Sequence, residues 1–176
     1  MKLGVVSDSH SYIKNLNRAV EALNRLGAEV IIHLGDNYQD MEQIGGENFL
    51  RVPGVFSDYY QDKNIPNRLI KDFAGWRFLL THTVDSHPND LPDDIRPEEL
   101  FAENRVDVVL YGHTHIPDIE KKGNIIFINP GHLRDTDKKG FPPSFCLIDV
   151  TPEMLKAEIH TLNNLEIFKE AIFEKK

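Results

Sequence analysis

Leu3-Gly4-Val5-Val6-Ser7-Asp8-Ser9-His10 joins a short apolar run to a carboxylate and an imidazole. An apolar run of this length, closed by polar turn residues, reads as a buried strand. Asp8 and His10 stand two apart in the turn that leaves it, a spacing that can aim both side chains at one point. Three further segments repeat the arrangement. Val30 to Leu34 is a second buried strand and ends at Gly35-Asp36-Asn37. Arg77 to Thr81 delivers His82, and Val106 to Tyr111 ends at Gly112-His113-Thr114-His115. Loops that leave the C-terminal ends of strands are where an α/β sheet gathers a site.

The rest of the chain fills in around these strands. Leu16, Ala19, Val20, Leu23 and Leu26 predict a helix over Asn15 to Leu26, stopped by Gly27 in a left-handed cap. Phe49 to Pro53 reads as a short strand before the Pro53-Gly54 turn. Leu69 to Phe73 and Arg77 to Thr81 form a hairpin across Ala74-Gly75-Trp76. Pro97 to Asn104 is helical, with Pro97 in the first turn and Glu98-Glu99 at the positive end of the dipole. Ile116 to Lys121 and Asn124 to Asn129 make a second hairpin around Lys122-Gly123. Phe145 to Val150 and Leu155 to Leu162 make a third, and Asn164 to Glu174 is expected as a terminal helix. The pattern implies one domain over residues 1–176, with mixed sheets packed face to face and helices outside.

Composition narrows the function. A hydrophobic fraction of 40% and a charged fraction of 27% belong to an ordinary soluble globular domain. The first apolar run is too short for an export signal, and no stretch reaches the roughly 20 apolar residues of a membrane helix. Cys146 is the single cysteine and sits in Phe145-Cys146-Leu147-Ile148, so a buried core thiol in a reducing cytoplasm is expected. A net charge of −8 opposes a nonspecific grip on nucleic-acid phosphates. It leaves room for a phosphorylated substrate, because bound divalent cations invert the local field. Manganese, nickel, zinc, iron and cobalt all accept a mixed imidazole and carboxylate set.

On Asp8-Ser9-His10, Gly35-Asp36, Thr81-His82, Gly112-His113-Thr114-His115 and Asn129-Pro130-Gly131, the chain resembles the calcineurin-like metallophosphoesterases. It looks closest to their small single-domain bacterial and archaeal phosphodiesterases, the branch related to the retromer subunit Vps29. The resemblance runs from Leu3 to about Val150. It implies a four-layer sandwich of two mixed β-sheets flanked by helices. It also implies a first divalent metal held by Asp8, His10, Asp36 and His115, and a second held by Asp36, His82 and His113. Manganese is favoured. The activity implied is hydrolysis of a small-molecule phosphate ester, a diester over a monoester, by in-line attack of an activated water.

The chain also departs from that pattern. The family places a Gly-Asn-x-Asp type segment where this chain has Gly54-Val55-Phe56-Ser57-Asp58. Val55 cannot ligate a metal and Phe56 cannot donate a proton. Two expectations follow: a weaker second site filled when substrate bridges it, or Asp58 serving as the replacement ligand. His132 follows Asn129-Pro130-Gly131, where relatives have Ser. It is either the candidate general acid or an exposed loop histidine. His87 is a second, weaker candidate. His33 is expected as a hydrogen-bonded core residue, His160 as a surface one, and Asp90, Asp93 and Asp94 as a solvated loop. The rival reading is a Vps29-like interaction scaffold with a weak metal site, and homo-oligomerisation stays open.

Overall fold

A computed structural model describes residues 1–45 and 49–175. Period-two alternation sorts the apolar residues of its strands into three packed layers. The first sheet runs β11-β10-β9-β1-β2-β3, formed by β1 (Lys2–Val6), β2 (Val30–His33), β3 (Phe49–Arg51), β9 (Ser144–Val150), β10 (Met154–Thr161) and β11 (Ile167–Glu174). The second runs β4-β5-β6-β8-β7, formed by β4 (Arg68–Phe73), β5 (Trp76–Thr81), β6 (Val108–Leu110), β7 (Asp118–Lys122) and β8 (Ile125–Asn129). Leu3, Val5, Ile32, Phe78, Leu80, Val108, Leu110, Ile126 and Ile128 point into the core between the two sheets. The alternate residues face outward. Val6, Ile31, Phe145 and Leu147 meet helix α1 (Ile13–Arg25), while Leu79, Val109 and Phe127 meet Leu100 of the short helix α2 (Pro97–Ala102). The result is the expected arrangement of two mixed sheets with helices outside, and with few of them.

Parallel pairing places the site. In the first sheet β1, β2 and β3 are parallel neighbours. In the second β5, β6 and β8 are parallel neighbours. Their C-terminal ends release the loops carrying Asp8, Asp36, Val55, His82, His113 and His132 in turn. Gly4 lets α1 settle onto β1, because a Cβ there would stand 2.8 Å from both Leu23 Cδ1 and Ile31 Cδ1.

Three expectations are corrected here. Residues 164–174 do not form a helix: Ile167–Glu174 is β11, antiparallel to β10 from Met154↔Glu174 to His160↔Ile167. Phe168, Ile172 and Phe173 fit helical spacing, but they are also aromatic and β-branched, and as a strand the segment pairs the open edge of β10, which a helix bonded within itself would leave unpaired. His160 is buried, not on the surface, with its ring stacked on Phe145 at 5.4 Å. The 85–94 loop is likewise anchored more than solvated. Asp90 accepts from Arg68 and from the His87 amide, and Asp94 accepts from Asn67.

Gly4→Val should overpack the α1–β1 contact and lower stability by about 1–3 kcal/mol, read as a lower urea midpoint at an unchanged slope.

Candidate metal centre

Each loop of the centre is held by backbone bonds as it leaves its strand. The Asp8 amide donates to the Gly35 carbonyl at 2.6 Å, tying the β1 and β2 exits together. The Gly112 amide donates to the His82 carbonyl at 3.1 Å, doing the same for β5 and β6. Asp8 then joins the two halves, since its carboxylate accepts from the His113 amide at 3.0 Å. Gly112 is required for that approach: a Cβ would lie 1.9 Å from Ser7 Oγ and 2.6 Å from Asp8 Oδ2. Asp8, His10, His113 and His115 all adopt positive φ, between 45° and 65°. Non-glycine residues in that region cluster where tertiary structure overrides local preference, as at functional sites.

Four ligand atoms from Asp8, His10, Asp36 and His115 lie within 4.8 Å of one another. His10 Nε2 stands 2.9 Å from Asp36 Oδ2 and 3.0 Å from His115 Nε2. His115 Nε2 is 3.3 Å from Asp8 Oδ1. Two donors bound at ~2.1 Å to one cation, at right or tetrahedral angles, stand ~3.0–3.4 Å apart. The donor set and its spacing therefore fit a divalent metal. Beside it, His82 Nε2 lies 2.9 Å from Asp36 Oδ1 and 3.3 Å from His113 Nδ1. Asp36 thus faces both groups, one carboxylate oxygen to each.

The free ring nitrogens are fixed from behind. His82 Nδ1 donates to the Leu34 carbonyl at 2.7 Å, which leaves Nε2 turned to Asp36. His115 Nδ1 donates to Asp137 Oδ2 at 2.7 Å, and the Asp137 side chain is only 4% exposed. A carboxylate behind a ligating imidazole fixes its tautomer and orientation. Asp137 was not read from the sequence, since nothing in Arg134-Asp135-Thr136-Asp137 distinguishes it from Asp135. A buried chain supports the β1 exit: the Gly35 amide donates to His33 Nδ1, His33 Nε2 pairs with Ser9 Oγ, and Ser9 Oγ donates to Asp40. Asn129 bonds the Gly112 carbonyl and the Thr114 hydroxyl, which explains its place in the motif.

The electrostatics call for positive charge. Burial alone would raise the Asp36 carboxyl, but hydrogen bonds from His10 and His82 hold it far below the usual carboxylate range. The bond to Asp8 carries His115 up to about 9 against burial, with Asp137 adding to it. His82 is also raised, because Asp36 and Asp8 outweigh its desolvation. Burial and the neighbouring His82 lower His113. The carboxylates thus draw protons onto two of the imidazoles, where a cation would otherwise balance them.

The remaining candidates fall elsewhere. His132 is buried, not exposed. Its Nδ1 accepts from the Arg134 amide and its Nε2 donates to the Phe141 carbonyl, both at 3.1 Å. Burial lowers its pKa, and with both ring nitrogens engaged it packs against His115 at 5.4 Å as a wall. That geometry corrects the reading of His132 as an exposed loop histidine, and it leaves neither ring nitrogen without a partner. Asp58 is not in the four-residue group. Ser57 caps the 3₁₀ turn Asp58–Gln61 by accepting from the Tyr59 amide, and the turn holds Asp58 exposed on a cleft beside the centre. Val55 is buried. That cleft, of about 410 Å³, is lined by His10, Asp36, Asn37, Gln39, Phe56 and the 57–59 segment. His87 lies half-buried in the wall on the other side of His113.

Two facing mixed sheets, with carboxylates and imidazoles collected at their parallel strand ends, define a metallohydrolase site on a four-layer sandwich. The chain belongs to the calcineurin-like phosphoesterase superfamily, whose domain model matches residues 1–153. It is similar to phosphodiesterase YfcE of Escherichia coli K12, 45% identical over 171 residues, 85% of this chain and 88% of that one. It is also similar to phosphodiesterase MJ0936 of Methanocaldococcus jannaschii, 28% identical over 170 residues, 80% and 96% of the two chains. Superposition on the E. coli Yfce structure gives a TM-score of 0.71 over 97% of this chain and 98% of that one. Identity in that alignment is 24%. Vps29 of Cryptosporidium parvum superposes equally well, with a TM-score of 0.71 over 99% and 97% at 19% identity.

Asp137→Asn should weaken manganese binding by about 10- to 100-fold in a calorimetric titration, with Asp137→Glu recovering part of the loss. The buried His33 supplies a pH test. Burial lowers it from 6.5 to about 4, so the unfolded chain binds its proton first. Its stabilising contribution is complete above pH 6.5 and is lost as pH falls toward 4, on the order of 3 kcal/mol for this one group. Urea unfolding of the metal-free protein should show that slope, and His33→Gln should flatten it.

Proposed function

We propose that the protein is a phosphodiesterase that works with two divalent cations, manganese favoured, in the cytoplasm. The observation that carries this reading is the group of Asp8, His10, Asp36 and His115, whose ligand atoms lie within 4.8 Å of one another where parallel strands end. Those four residues would hold the first metal. Asp36, His82 and His113 would hold the second, with one protein donor fewer and hence a lower affinity. When bound, such ions polarise a phosphoryl oxygen and make water nucleophilic at neutral pH. The phosphodiesterase names of the similar E. coli and M. jannaschii proteins support the ester class.

The chain's own contribution is positioning. Asp8 fixes the His113 backbone, Asp137 orients His115, and Asn129 holds the turn between Gly112 and Thr114. A proton donor for the leaving group is a different matter. Phe56 has no proton to give, and His132 has spent both ring nitrogens on the backbone. Without a donor at either of these two positions, acidic leaving groups are favoured. The membrane plays no part in this reading; among the described residues no helix is long and apolar enough to cross one.

A Vps29-like scaffold is the rival, favoured by the buried Val55 where a ligand is missing. Turnover of bis-p-nitrophenyl phosphate with added manganese separates the two. We expect clear hydrolysis in the wild type and a loss of at least about 100-fold in Asp36→Asn, in line with the role of metal-held charge in the transition state. Absence of turnover in the wild type at saturating manganese would leave the scaffold reading standing.

A further inference from the structure

The cleft beside the ligand group has an unusual lining for a protein that handles phosphate. Phe56 is 76% exposed, the highest value among the exposed large apolar side chains of the described residues. It does not fold onto the core. An edge contact to His87 at 5.6 Å and 89°, and a tilted one to His113 at 6.3 Å, hold it next to the centre. Tyr59 supplies a second ring. It packs on Tyr38 at 5.0 Å, and Tyr38 in turn carries the Arg51 guanidinium 3.8 Å from its ring centre. That guanidinium is occupied by Glu42 at 2.9 Å and by the Tyr38 carbonyl. Asp58 stands exposed between the two rings in sequence, and Asn37 and Gln39 add amide groups.

Among the described residues, no lysine or arginine lines this cleft, nor either of the two depressions that adjoin it at His113 and at Asn89. A second phosphate or a carboxylate on the substrate would meet Asp58 and no fixed cation. His10 and Asp36 line the same cleft, so a phosphoryl group at the ligand group leaves one ester substituent inside it. The volume of about 410 Å³ suits one ring with its sugar. An exposed phenyl ring, a half-buried tyrosine, a carboxylate acceptor and amides together match a planar ring with N–H donors on its edge.

We propose that this cleft, walled by Phe56 and Tyr59 and bearing Asp58, takes the organic half of the diester and selects an uncharged, planar, hydrogen-bonding ring such as a nucleobase. The proposal rests on the phosphodiesterase reading and adds the substrate class to it. A quaternary ammonium group would also find aromatic faces and a carboxylate, but it has no use for the amides of Asn37 and Gln39.

The test compares three p-nitrophenyl diesters on the manganese-loaded protein: thymidine 5′-(p-nitrophenyl phosphate), ethyl p-nitrophenyl phosphate and p-nitrophenyl phosphorylcholine. Their shared leaving group cancels in the ratios. We expect the thymidine ester to exceed the ethyl ester in kcat/KM by roughly 5- to 100-fold, mainly through KM, and Phe56→Ala to bring that ratio near one. Equal rates for the thymidine and ethyl esters, an unchanged ratio in Phe56→Ala, or preference for the choline ester would overturn the proposal while leaving a phosphodiesterase. Hydrolysis of none of them would sink the phosphodiesterase reading instead. Calorimetric binding of thymidine 5′-monophosphate against ethyl phosphate then decides the cleft without turnover. Tighter binding of the nucleotide, lost in Phe56→Ala, supports it, and equal binding overturns it.

Discussion

Two carboxylates held side by side are the constraint on which the rest of this structure turns. Parallel pairing of β1 with β2, extended by the bond from the Asp8 amide to the Gly35 carbonyl, brings Asp8 and Asp36 into one small volume. Two buried charges of like sign are unfavourable unless positive charge stands between them. In the metal-free chain His10, His82 and His115 supply hydrogen bonds, and the last two are raised toward their charged forms. A divalent cation does the same work with shorter contacts and higher charge. Affinity for metal is therefore a consequence of the strand pairing more than of any single ligand.

The centre belongs to neither sheet alone. The first sheet brings Asp8, His10 and Asp36; the second brings His82, His113 and His115. Bonds to the backbone link the halves near the site, among them the His113 amide to Asp8, His82 Nδ1 to the Leu34 carbonyl, and the Leu133 amide to the Asp8 carbonyl. The apolar layer of Leu3, Val5, Phe78, Leu80, Val108 and Leu110 sets how the sheets face each other. Core packing and ligand spacing are coupled for that reason. A cavity or an overpacked residue between the sheets moves one half of the ligands against the other, where a shift of a few tenths of an ångström matters.

The loop after β3 shows how a site is retuned without touching its main ligands. Val55 turns inward, Phe56 outward, and Ser57 caps the short turn that sets Asp58 and Tyr59 on the cleft. One loop thereby sets an aromatic wall and a carboxylate beside the four-residue group. The chemistry left to the protein is positioning and charge, which phosphoryl transfer chiefly needs.

Strand runs, the α1 periodicity and the four strand ends that carry carboxylates and imidazoles were legible in the sequence, because each follows from local pattern and turn chemistry. So was the oddity of Gly54-Val55-Phe56-Ser57-Asp58, since residue type alone says that valine holds no metal. Position relative to other segments was not legible. Residues 167–174 satisfy helical and strand patterns alike, and only the free edge of β10 decided between them. His132 has the composition of an acid, but backbone groups at Arg134 and Phe141 take both its nitrogens. Asp137 looks like any loop aspartate until the fold sets it behind His115, 22 residues away in the chain. The sequence by itself determined which side chains could bind metal and that strands would deliver them. Tertiary structure alone decided which of them meet, because a hydrogen-bond partner or a charge distant in the chain leaves no mark on local pattern.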